Sequence, residues 1–321
     1  MEEWEASVEK LISGGRGLLR HPKLGVCFVP QVLPDEKVRF RVPEASPKNH
    51  ASRNFFQAEL LEVLEPSPGR VLPRCVHYNT CGGCDWQHIR YESQVKLKEL
   101  IVRENLLRFA GQDYADRQLP ALAEPDNLEE NSQTRGWEYR QRAKFFWQPQ
   151  SQNQEPYYGF SQRSGKQLLA VPHCQVIDPK IRRAITGLSE FCGTELHVFA
   201  PNSEAGCAFG DEEFEYHWNG LKLRSQAQLF FQSNSKVLPL LLDRLQSSLV
   251  PILQGWDGDF FDLYAGVGLF SLCLGDSFSG NRFAVERNTY SFKYLQENLA
   301  GKNFRCHRED VGSFLKQARL S

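Results

Sequence analysis

Apolar positions near the N-terminus come in short runs: Val26–Val29, Val38–Val42, Phe55–Leu61 and Val63-Leu64. They are cut by Gly14-Gly15-Arg16-Gly17, by Leu33-Pro34-Asp35 and by residues 43–54. Runs of that length between Gly- and Pro-bearing turns predict strands of a small β-barrel over residues 1–66. "EPSPGRVLP" (65–73) reads as a Pro-rich joint. Helical spacing follows at 91–110, YESQVKLKELIVRENLLRFA, and the polar stretch 111–135 predicts a loop. Alternating positions predict strands within 135–147, 157–160 and 167–171, and LPLLL (238–242) the buried face of a helix over 236–253. From 259 to 321 the order is strand, Gly-rich turn, helix, strand, helix, strand, an α/β pattern. The expected organisation is a multidomain α/β chain, with a β-barrel over 1–66, a central α+β domain over 67–235 and part of a Rossmann-like domain over 236–321. No internal repeat or low-complexity segment interrupts it.

Composition narrows the picture only slightly. The 321 residues are 41% hydrophobic and 24% charged, with a formal net charge of −1. That supports several packed cores and gives no global basic signal, so nucleic-acid binding would need local patches. Residues 1–70 hold ten Lys/Arg against ten Asp/Glu. The acidic start MEEWEASVEK lacks a signal-peptide h-region, and no run approaches the ~20 apolar residues of a membrane helix. The expected compartment is the cytoplasm, where nine cysteines are thiols or metal ligands rather than disulfides.

Three of those cysteines crowd into "CVHYNTCGGCDWQH" (75–88), as Cys75-x5-Cys81-x2-Cys84. The Gly-Gly pair lets such a loop wrap a metal corner. Thiolates suit zinc or an iron–sulfur cluster, and spacing alone does not separate the two. Cys174, in the Pro-flanked "VPHCQVIDP", is the candidate fourth ligand. The remaining cysteines sit singly, in the manner of small buried hydrophobes.

In "FFDLYAGVGLFSL" (260–272) an apolar strand runs into Gly266-x-Gly268 and then a helix. A turn without Cβ atoms admits an anion or nucleoside, and the helix N-terminus adds donors. Glu286 ends the next strand, eighteen residues after Gly268, where an acid can accept both ribose hydroxyls. Asp310 follows the third strand and could meet an adenine amino group. Asp262 and Tyr264 flank the turn, Asp262 where a methionine ammonium would lie. The layout suits S-adenosylmethionine better than NAD; the alternative is a structural turn with solvated acids.

"RGWEYRQRAKFFW" (135–147) interleaves Arg135, Arg140, Arg142 and Lys144 with aromatics. Strand alternation places Tyr139, Gln141 and Ala143 on one face and Arg140, Arg142 and Lys144 on the other. Cations neutralise phosphates and aromatics stack unpaired bases, which predicts RNA binding. A half-buried strand with a solvated basic face is the alternative.

Together these segments resemble, along essentially the whole chain, the bacterial and archaeal RNA (uracil-5-)-methyltransferases that carry a TRAM domain and a 4Fe-4S cluster. "VEKLISGGRGLLRH" through "FVPQVLPDEKV" is similar to a TRAM domain, an OB-like barrel. "CVHYNTCGGCDWQHIRYESQVKLKE" and "VPHCQV" resemble the cluster segments, "LFFQSNSKV" (229–237) the F-x-Q-x-N stretch, and "DLYAGVGLFSL" motif I. The resemblance implies a 4Fe-4S cluster on Cys75, Cys81, Cys84 and Cys174, and S-adenosylmethionine contacted by Gln232, Asp262, Tyr264, Gly266, Gly268, Glu286 and Asp310. It implies 5-methyluridine formation in ribosomal or transfer RNA. In the family a cysteine thiolate adds to uracil C6, C5 takes the methyl group and a base removes the C5 proton. The segments bearing that thiolate and base, resembling S-C-N-P and a terminal H-x-E, do not occur here, nor does D-P-P-R-x-G. Cys273 and Cys306 are poor substitutes by context. The expectation is therefore a C-terminally truncated methyltransferase, its missing half absent or supplied by a second polypeptide. A catalytically inactive RNA-binding iron–sulfur module is the alternative.

Overall fold

The computed structural model describes residues 2–43, 55–111, 136–150, 155–165, 167–186, 188, 193–204, 206–253 and 256–317. The chain divides into two compact units, Met1–Asp126 with Ser161–Gln167, and Asn127–Phe160 with Leu168–Ser321.

The first unit is built on six strands: β1 (Glu3–Leu11), β2 (Gly17–His21), β3 (Gly25–Val29), β4 (Lys37–Arg41), β5 (Phe55–Gln57) and β6 (Glu59–Glu65). Their order is β5-β3-β2-β1-β4-β6, antiparallel except for the parallel β3/β5 pair. Register breaks between Val8 and Lys10, and on β4, add local twist and let the sheet curl. Val8, Leu19, Cys27, Val29, Val38 and Phe40 fill the inside of that curl. Among the described residues the sheet stays open at β5 and β6, where the turn pattern predicts a closed barrel. Its central strand, β1, is the acidic N-terminal stretch, which apolar runs do not reveal.

Beneath the sheet the wholly buried Glu36 accepts from Arg70 Nε (2.5 Å), Arg70 Nη2 (2.7 Å), Leu33 N (2.8 Å) and Ser67 N (3.2 Å). This network joins the barrel-like sheet to the loop leading into the cysteine segment. Helix α1 (Tyr91–Ala110) matches its predicted span. It buries no residue fully; Leu97 and Ile101 pack against Leu11, Leu33 and Ile89.

In the second unit β7 (Arg142–Gln148), β8 (Tyr157–Ser161), β9 (Leu168–Ala170), β10 (Glu195–Phe199) and β11 (Ala208–Phe209) form a sheet ordered β11-β10-β7-β8-β9. Helix α2 (Pro179–Thr186) buries Ile181 and Ile185. A hairpin follows, β12 (Glu213–Trp218) and β13 (Leu221–Gln226). Its two-residue turn, Asn219-Gly220, has φ of 43° and 77°, the left-handed pair that matches strand twist. Helix α3 (Val237–Leu253) buries Leu238 and Leu242, whereas Leu241 of the LPLLL run is 39% exposed.

The C-terminal segment alternates as its pattern predicts: β14 (Phe260–Leu263), α4 (Leu269–Leu274), β15 (Arg282–Val285), α5 (Thr289–Asn298), β16 (Phe304–His307) and α6 (Val311–Gln317). The three strands are parallel, in the order β14-β15-β16. Alternation along β15 sends Ala284 to one face and Val285 to the other. On the first face Leu272, Leu295, Leu242 and the hairpin's Phe214 and Leu223 make one core; on the second, Val285 meets Val311 and Phe314. Among the described residues no helix is long and apolar enough to cross a membrane.

Candidate functional site

Parallel pairing of β14 with β15 sets Leu263 opposite Val285, so the turn after one strand and the acid after the other share an edge. The backbone enters the left-handed region at Tyr264 (φ 62°), Gly266 (57°) and Gly268 (93°). Positive φ is costly for a bulky residue such as Tyr264, and such outliers concentrate at ligand sites. Its side chain is 76% exposed. The two glycines differ in what surrounds them. A Cβ on Gly268 would lie 3.0 Å from Leu295 Cδ1, so its absence lets α4 pack on α5; one on Gly266 meets no atom within 4 Å. Gly266 therefore leaves a bare backbone edge facing open space, a cradle that fits a nucleoside-type ligand.

Glu286 closes one side of that cradle. Its Oε2 accepts from Gly266 N (2.9 Å) and its Oε1 from Asn288 N (2.6 Å). Asp262 is buried, and its Oδ2 accepts from both Ser271 N (3.0 Å) and Ser271 Oγ (2.6 Å). Burial raises its carboxyl above the usual range, opposed by the Ser271 hydrogen bonds. Asp262 thus ties β14 to the first turns of α4. Asp310, between β16 and α6, is exposed and caps α6 through Ser313 N (3.3 Å). The pattern of the sequence does not single out Asn298, yet it clamps the turn: Nδ2 donates to Val267 O (2.8 Å) and Arg224 O (2.9 Å), and Oδ1 accepts from Arg224 N (2.9 Å).

Gln232 lies on a separate segment, next to Phe231, which belongs to the same core as Val267 and Leu295. Its carbonyl accepts from Gln141 Nε2 (2.9 Å).

The basic stretch is only partly available to solvent. Arg135 lies outside the described residues. Gln141 and Ala143 are buried while Arg140, Arg142 and Lys144 are half-buried. Arg142 donates from Nε to Leu229 O (2.9 Å) and from Nη2 to Gln228 O (3.0 Å), and burial lowers its guanidinium below the usual range. Lys144 pairs with Glu195 (2.7 Å) and lies 4.9 Å from the Phe146 ring centroid. Arg140 is bound through its backbone to Val176 O and bridges Asn234.

Of the four expected cysteine ligands, Cys75, Cys81 and Cys84 lie in the first unit and Cys174 in the second. Among the described residues no three His, Cys, Asp or Glu side chains come together as a metal site. Backbone bonds hold the loop: Tyr78 N to Cys75 O (3.0 Å) and Cys81 N to His77 O (2.7 Å) within it, and Gly82 N to Ser161 O (3.1 Å) outside it. Arg163 adds a bond to Cys84 O, and Cys81 Sγ accepts from Gly83 N (3.4 Å). Arg182 holds Cys174 O in the second unit (3.2 Å).

Neither candidate nucleophile is activated. Cys273 is buried, its thiol pushed up to about 11 by burial, and lies 3.8 Å from Leu242 O; burial also raises Cys306. Thiolates are favoured by nearby cations and helix N-termini, not by apolar burial.

No protein-family model matches the chain. It is 26% identical over 321 residues to an uncharacterized RNA methyltransferase, Bd3828, of Bdellovibrio bacteriovorus, covering 98% of this chain and 73% of that protein. It is 29% identical over 216 residues to the 23S rRNA (uracil(1939)-C(5))-methyltransferase RlmD of Nitrosococcus oceani, covering 65% of this chain and 44% of the relative. For the RlmD of Vibrio parahaemolyticus the identity is 32% over 174 residues, 54% of this chain and 35% of the relative. The chain thus spans less than half the length of the RlmD relatives. Among solved structures, the tRNA (uracil-54, C5)-methyltransferase of Pyrococcus abyssi, in complex with S-adenosyl-L-homocysteine, superimposes with a TM-score of 0.60 at 15% identity, covering 96% of this chain and 79% of that one. The chain shares that enzyme's fold.

Proposed function

We propose that this chain is an S-adenosylmethionine-binding RNA (uracil-5-)-methyltransferase, acting on ribosomal or transfer RNA. The observation that carries the proposal is the bare Gly266 edge closed by Glu286 at the C-terminal ends of parallel β14 and β15. Ligands of open parallel sheets bind at that edge. The relatives' names and the shared fold point to the same chemistry. Gly266 and Gly268 would admit the nucleoside, Glu286 would take its ribose hydroxyls, and Tyr264, Gln232 and Asp310 would border it. Asp262 would act by fixing the turn through Ser271. When bound, S-adenosylmethionine supplies an electrophilic methyl group.

Uracil C5 becomes nucleophilic only after addition to C6. Neither Cys273 nor Cys306 is set up for that step, so the proposal assigns nucleophile and base to none of the described side chains. A second polypeptide is one source for them. The 4Fe-4S cluster on Cys75, Cys81, Cys84 and Cys174 rests on spacing and resemblance, and no step is routed through it. An anaerobic absorption spectrum tests it: a broad visible band supports the cluster, and a colourless protein removes it.

Calorimetric titration with S-adenosylhomocysteine tests the donor site, and tritiated-methyl transfer to unmodified ribosomal and transfer RNA tests the reaction. Binding without transfer would confine this chain to the donor-binding role; absence of binding would overturn the proposal.

A further inference from the structure

The stretch read from sequence as an RNA surface has a second use. Its residues grip the segment 228–235, which carries Gln232. Gln141 N donates to Ser233 O (2.8 Å), and Gln141 Nε2 donates to Gln232 O (2.9 Å). Arg142 spans Leu229 O and Gln228 O. Ser235 returns two bonds to Tyr139 O, from N (2.9 Å) and from Oγ (3.1 Å). Asn234 Oδ1 then caps α3 at Lys236 N (3.1 Å) and Val237 N (3.0 Å). Within this bracket the side-chain amide of Gln232 makes no hydrogen bond among the described residues.

Gln141 stands out energetically. It is wholly buried, and its Oε1 has no hydrogen-bond partner. A buried carbonyl without a donor is unfavourable. Methionine, similar in shape, would fill the space without that cost. What methionine could not supply is the Nε2 donor to Gln232 O.

We propose that Gln141 is a positioning residue that fixes Gln232 for the methyl donor, an inference that rests on the donor-site reading above. It touches no ligand itself; it acts through the carbonyl of Gln232. Arg142 serves the same segment two residues upstream of Phe231, which accounts for its inward guanidinium.

The test compares the full chain with Gln141→Met and Gln141→Leu, by S-adenosylhomocysteine titration, thermal unfolding and hydrogen exchange over 228–235. The expected result for Gln141→Met is binding weakened about tenfold, the worth of one hydrogen bond. Exchange over 228–235 should quicken while the unfolding midpoint stays near wild type, because removing the orphan carbonyl offsets the lost bond. Unchanged affinity and exchange would overturn the inference. So would a collapse of the unfolding midpoint in both variants, which would make Gln141 purely structural. If the wild-type chain itself fails to bind, the donor-site reading falls and this inference with it, a result told apart by the wild-type isotherm alone.

Discussion

Asn298→Asp should destabilise the second unit by about 3 kcal/mol. The substitution keeps the shape and the acceptor facing Arg224 N, but replaces the amide donor with a carboxylate oxygen. That donor serves Val267 O at 2.8 Å and Arg224 O at 2.9 Å. Two lost hydrogen bonds are worth about 1 kcal/mol each, and setting an anion against two carbonyls in a half-buried place adds a further ~1 kcal/mol. Asn298→Ala removes all three bonds without the repulsion and should cost about 3 kcal/mol at every pH. Because the carboxylate faces carbonyl oxygens, its folded-state pKa should lie above its unfolded value. The penalty should therefore shrink as pH falls and the protonated acid regains a donor. Urea unfolding at pH 7 and pH 4.5 measures both effects, each variant compared with wild type at the same pH. Since Val267 sits between the two glycines of the turn, S-adenosylhomocysteine affinity should fall in parallel. An Asn298→Asp protein within ~0.5 kcal/mol of wild type at pH 7 would refute the clamp.

Glu36→Ala strands the Arg70 guanidinium and should cost about 3–5 kcal/mol in chemical denaturation, while Glu36→Leu with Arg70→Met should recover most of it. Failure of the double variant to recover would show that the loss is not one of pairing. His88 is buried, and burial, with the charge of Arg70, pulls it down to about 4 from 6.5. The unfolded chain thus binds more protons between those values, so stability is lost as pH falls from about 6.5 to about 4, by up to ~3 kcal/mol. His88→Gln should flatten that slope, and an equally steep slope in the variant would assign it elsewhere. Lys144→Glu should weaken RNA binding and lower the magnitude of its salt slope by about 1 in filter-binding titrations, while leaving stability near wild type. Arg142→Ala should instead destabilise the second unit by ~1–3 kcal/mol, through the carbonyls it leaves unpaired. RNA affinity unchanged by Lys144→Glu would remove this face from the RNA site.

The strand–turn–helix–strand order at 259–307 was legible because each of its signals is local: an apolar run, two glycines and a second apolar run. β1 was not, because its stability comes from residues far along the chain. Its acids face β4, where Arg39 binds Glu5 (3.0 Å) on one side and Glu62 (2.7 Å) on the other, and Arg41 binds Glu59 (2.7 Å). An acidic strand between apolar ones looks like a solvated tail until its cations are found. The hairpin β12/β13 did carry a local signal, Asn219-Gly220 between alternating stretches. Arg142 shows the converse error. A cation in an alternating strand reads as solvent-facing, but two carbonyls 86 and 87 residues away claim it.

The acids around the glycine turn make the same point about function. Asp262, Glu286 and Asp310 are alike in sequence, each at the end of a strand or just before a turn. What distinguishes them is burial and which lone pairs the protein itself consumes. Asp262 is buried, with both Ser271 donors on one oxygen, which suits a fixed support. Asp310 caps a helix from an exposed position. Glu286 accepts one backbone N–H on each oxygen, Gly266 on Oε2 and Asn288 on Oε1. A carboxylate offers about four acceptor sites, so each oxygen keeps one. In the proposed donor site, two acceptors on one rigidly held carboxylate would match the two hydroxyls of a ribose. The bonds that orient Glu286 also hold it against the bare edge of Gly266, where such a diol would have to enter.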